Sequence, residues 1–70
     1  MENISHLFNL PTKLEEGDIY VVEHLTSDRK PVYSINVKGM VINNYLTYDI
    51  DEVPSLIREL RLELMMRDFA

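Results

Sequence analysis

Val32-Tyr33-Ser34-Ile35-Asn36-Val37-Lys38 decides the architecture. Tyr33, Ile35 and Val37 alternate with Ser34, Asn36 and Lys38, and a period of two marks a strand with one buried face. Upstream, Ser27-Asp28-Arg29-Lys30-Pro31 is a polar turn punctuated by proline. Asp18 to Thr26 precedes it, with Ile19, Tyr20, Val21, Val22 and Leu25 giving β propensity. Downstream, Gly39 permits a tight turn, and Met40 to Leu46 reads as a third strand that Asn43-Asn44 bends or ends. Two hairpins in series make a three-stranded antiparallel β-meander.

The period changes after Asp49. Asp49-Ile50-Asp51-Glu52-Val53-Pro54 has an aspartate able to cap free N–H groups, acids at the positive end of the dipole, and a proline of the kind tolerated in a first turn. The spacing predicts a helix to about Arg67. Val53, Ile57, Leu60 and Leu64 form one stripe, flanked by Leu56, which is enough to cover a three-stranded sheet. Leu62, Met65, Met66 and Phe69 form a second apolar group that needs another surface. At the other end, Ile4, Leu7, Phe8 and Leu10 could make one or two helical turns that Pro11 stops. The expected fold class is therefore α+β. Residues 1–17 form a short N-terminal helical extension, and residues 18–70 form a β-β-β-α domain with one C-terminal α-helix.

Seventy residues leave room for a single small core, close to the lower limit for independent folding. Such scaffolds usually carry a staple. Cysteine is absent, which removes disulfides and thiolate metal sites, and His6 and His24 are too far apart to suggest structural zinc. Self-association remains. Pairing sheet edges across a two-fold axis would also hide an exposed edge, so the expectation is a homodimer with a continuous six-stranded sheet. Neither a signal peptide nor a run of roughly 18 apolar residues is visible. These features point to the cytoplasm and away from membranes.

A net charge of −5 argues against nucleic acid as a direct partner, because phosphate binding needs basic neutralisation. It suits either plain solubility or attraction to a basic groove. Catalytic signals are missing. No serine sits in a nucleophile-elbow or Ser-x-x-Lys setting, and Gly17 and Gly39 cannot build a phosphate loop. Glu23 and His24 are strand neighbours that face opposite ways. The pairs Glu15/Glu16 and Asp51/Glu52 read as solubility and capping groups. The chain is expected to be a binding protein without cofactor or metal rather than an enzyme. Of its four tyrosines, Tyr20 and Tyr33 suit a strand-rich core. Tyr45 and Tyr48 fit either core or a contact surface, where tyrosine is favoured.

Lys38-Gly39-Met40, Ile42, Tyr45, Tyr48, Ile57 and Leu60-Arg61-Leu62-Glu63 together resemble the small uracil-DNA glycosylase inhibitors encoded by protein-primed Bacillus phages. The likeness spans roughly Asp18 to Met66, with a one-residue insertion between the aromatic position and the helix. It implies an acidic homodimer that mimics DNA. Such a protein occupies the DNA-binding groove of a host uracil-DNA glycosylase and holds the enzyme's protruding minor-groove loop side chain in an apolar pocket. By the resemblance, Tyr45 takes the place of the family's key phenylalanine and Tyr48 that of its tyrosine. The family's strand carboxylate falls near Ile35, which has none, so Glu23, Asp49, Asp51 and Glu52 are the candidates for that charge. The alternative is a small phage or bacterial interaction module, or a DNA mimic, with a different protein target.

Overall fold

A computed structural model describes residues 2–40 and 45–68. Val41, Ile42, Asn43 and Asn44 of the expected third strand, and Phe69 of the second apolar group, lie outside the described residues. The chain is an α+β domain with an antiparallel sheet in the order β1 (Glu2–Asn3), β2 (Ile19–Leu25), β3 (Pro31–Val37), β4 (Tyr45–Thr47), followed by helix α1 (Val53–Asp68).

The central hairpin follows its alternation. Ile19 pairs with Val37, Val21 with Ile35, and Glu23 with Tyr33. These odd-numbered positions share the face that receives the helix. Ile19, Val21, Tyr33, Ile35 and Val37 form one buried core with Val53, Ile57 and Leu60, while Tyr45, Leu56 and Leu64 pack at its margin. The expected helical stripe is thus the buried one. Leu62, Met65 and Met66, the described members of the second apolar group, are exposed. Helix entry is tighter than a plain α-turn. Asp49 Oδ1 accepts the Asp51 N–H at 2.9 Å, a 3₁₀ turn covers Ile50–Glu52, and α1 begins at Val53 with Pro54 in its first turn.

The sheet has four strands where three were expected. The extra one comes from the segment read as an appendage. Glu2 pairs with Glu23 and Asn3 with Val22, and the Ile4 N–H continues the ladder by donating to the Val21 carbonyl at 2.9 Å. Ser5–Phe8 then makes a 3₁₀ turn, shorter than the α-helical turns expected, closed by Asn9 in the left-handed region at φ 57°. Asparagine tolerates that conformation better than most residues. Ile4 and Leu10 are buried in the common core, and buried Ser5 accepts the Val21 N–H on its Oγ at 2.9 Å. Segment 1–17 therefore shares both the sheet and the interior.

Gly39 follows β3 at φ 83°, and a Cβ built there would lie 3.3 Å from Glu16 Cγ. Gly39→Ala should cost about 1–2 kcal/mol, mainly from the left-handed backbone, read as a lower urea midpoint with an unchanged slope.

Candidate functional site

The sheet register places Glu2, Glu23, Tyr33 and Thr47 in one row across four strands, on the helix-side face. Thr47 ties the following turn to the sheet. Its Oγ1 donates to Glu52 Oε2 at 2.9 Å and accepts the Asp49 N–H at 3.0 Å. Asp51 is exposed on the same turn. Buried Tyr33 reports the local field. Burial first, and then the adjacent Glu23 carboxylate, hold its phenol above the usual value, with Asp49 adding to the effect.

Four of the residues singled out from the sequence, Glu23, Asp49, Asp51 and Glu52, thus gather at one end of the molecule. Glu2 joins them. The sequence reading passed over Glu2 because it lies in the segment set apart as an extension, and only its pairing with Glu23 reveals it. Among the described residues, none of these five carboxylates has a lysine or arginine within ion-pair distance. A surface ion pair joins Lys30 to Asp28 at 4.0 Å.

No family model, curated protein or solved structure matches this chain.

The two candidate aromatics are separated. Tyr48 is 73% exposed and lines an open cleft of about 510 Å³ with Thr26, Asp28, Lys30 and Pro31, at the β2–β3 turn. Tyr45 is half-buried against the core, and its hydroxyl donates to Glu63 Oε2 at 2.7 Å. Glu63 lies ten residues past Val53, about 15 Å along the helix from its start. That hydrogen bond first, and burial second, raise the Tyr45 phenol above its usual value. Tyr45→Phe should therefore keep the fold and cost about 0.5–1 kcal/mol in urea denaturation, since the bond is exposed to solvent.

His24, on the opposite sheet face, places Nε2 3.2 Å from Ser34 Oγ. Ser34 is buried and also accepts from Asn36 Nδ2 at 3.1 Å, so its hydroxyl serves a packed polar network. No described helix is long and apolar enough to cross a membrane. The arrangement as a whole offers charge and an exposed aromatic for docking.

Proposed function

We propose that this chain inhibits a uracil-DNA glycosylase by presenting its acidic end to the enzyme's DNA-binding groove. The observation that carries this reading is the gathering of Glu2, Glu23, Asp49, Asp51 and Glu52 at one end, without paired cations among the described residues. Carboxylates left unpaired on a chain of net charge −5 create a negative field that a phosphate-binding groove attracts. Tyr48, exposed nearby, supplies flat contact area of the kind enriched at binding hot spots. The resemblance of Lys38-Gly39-Met40 and Leu60-Arg61-Leu62-Glu63 to the phage inhibitors names the enzyme and assigns Tyr45 to the apolar pocket for the protruding loop side chain.

A second reading is an acidic interaction module with a different cationic target. The position of Tyr45 favours it, because its phenol is tied to Glu63 and lies apart from the acidic end.

The deciding experiment measures uracil release from a uracil-containing oligonucleotide by a bacterial uracil-DNA glycosylase, titrated with this protein at low and moderate salt. Stoichiometric inhibition that weakens as salt rises supports the proposal, since screening shortens the reach of exposed charge. Full activity in the presence of folded protein overturns it and leaves the second reading.

A further inference from the structure

The cleft at the β2–β3 turn combines an exposed aromatic ring with a turn that satisfies much of its own polarity. Tyr48, Pro31, Thr26, Asp28 and Lys30 line about 510 Å³, within the range of about 300–1,000 Å³ that ligand sites occupy. Tyr48 is 73% exposed, and Pro31 is exposed as well. Three of the turn's backbone donors are spent within it. The Thr26 N–H donates to the Lys30 carbonyl and the Arg29 N–H to the Thr26 carbonyl, both at 2.9 Å, and the Lys30 N–H donates to Thr26 Oγ1 at 3.1 Å. Thr26 Oγ1 in turn donates to Asp28, which pairs with Lys30. Pro31 has no N–H to give. Among the described residues the Tyr48 hydroxyl makes no hydrogen bond. It is free to donate to a ligand.

We infer that this cleft binds a proline-rich segment of a partner protein, held in the polyproline II conformation and carrying an arginine. A strand-like ligand needs a row of backbone N–H and C=O groups to pair with, and this turn has committed its donors elsewhere. A polyproline II segment makes no such demand. Its prolines lack N–H groups, and its solvated carbonyls can each accept from a phenol. Proline rings pack on aromatic surface, and the segment is extended before it binds, so little order is lost on docking. The charge of the partner follows from what surrounds the ring. Lys30 and Asp28 offset one another within the cleft. Asp49 and Asp51 follow Tyr48 in the chain, and among the described residues neither has a lysine or arginine within ion-pair distance. The excess charge beside the ring is therefore negative. A guanidinium suits both features, because it stacks on a tyrosine face and pairs with a carboxylate. An acidic proline-rich segment would meet like charge instead.

Fluorescence anisotropy of a labelled peptide, one arginine flanked on each side by three prolines, tests the assignment when titrated with the full chain to about 1 mM. Saturable binding is expected. Replacing every proline by alanine keeps the charge and removes the polyproline II bias, while replacing the arginine by glutamate reverses the charge. Each change should weaken binding at least about tenfold. Tyr48→Ala should weaken it about thirtyfold, the scale of a hot-spot aromatic. The variant's circular dichroism should match the wild type, because the side chain it removes is exposed. No saturable binding by the folded wild type overturns the inference. So does equal binding of the alanine or the glutamate peptide, or a Tyr48→Ala variant that binds as the wild type does. The measurement contains no glycosylase, so its outcome is independent of the inhibition proposed above.

Discussion

Leu60→Ala is expected to lower the unfolding free energy by about 3 kcal/mol and the thermal midpoint by about 15 °C. Leu60 is 1% exposed and, with Val53 and Ile57, is one of the three fully packed helix residues in the core. The sheet side of that contact consists of β-branched residues on two paired strands, whose backbone ladder resists collapse into the vacated space. A cavity is therefore left in place of a relaxed core. A domain of 70 residues has only about 4–10 kcal/mol of stability in all, so the loss is a large share of the total. Leu62→Ala provides the control. It removes the same side chain two residues on, from an exposed position, and should move stability by no more than about 0.5 kcal/mol. Equal effects from the two variants would contradict the helix orientation described above.

Removal of residues 1–10 should leave a chain that does not fold. The deletion takes Ile4 and Leu10 out of the core and strips the Ser5 hydroxyl from the buried Val21 N–H. It also uncovers the outer edge of β2. Together these amount to about 5 kcal/mol, close to the whole stability of a domain this size. The expected spectrum of residues 11–70 is that of a disordered chain. A cooperative unfolding transition in that fragment would show the N-terminal segment to be an appendage after all.

The legibility of this fold was uneven for physical reasons. The strand at Val32–Lys38 and the helical stripe Val53, Ile57, Leu60 are strongly periodic, and both occur as read. In Ile19-Tyr20-Val21-Val22 the apolar residues run consecutively, so composition cannot say which of them face the core. The register with Val37 and Ile35 makes that choice. β1 left no local trace, because Glu2 and Asn3 have neither β propensity nor alternation. They pair because Ile4 and Ser5 anchor the next turn to β2. The acidic site was partly legible as charge around Asp49, Asp51 and Glu52. Glu23 was a candidate as well, but its place beside that turn and the addition of Glu2 depend on pairing between residues far apart in sequence. The separation of Tyr45 from Tyr48 was hidden because it arises where β4 ends, at Thr47.

The placement of α1 also governs the order in which the molecule can be built. β2 and β3 are joined by a five-residue turn and share seven paired positions, contacts that close quickly and locally. Their apolar face nevertheless lacks its helical cover until Val53, Ile57 and Leu60, which follow the hairpin in the chain, have been synthesised. A nascent chain emerging from the ribosome therefore passes through a stage in which a formed hairpin displays Val21, Ile35 and Val37 to its surroundings. Until the helix packs, a chaperone or a neighbouring nascent chain competes with it for the same surface.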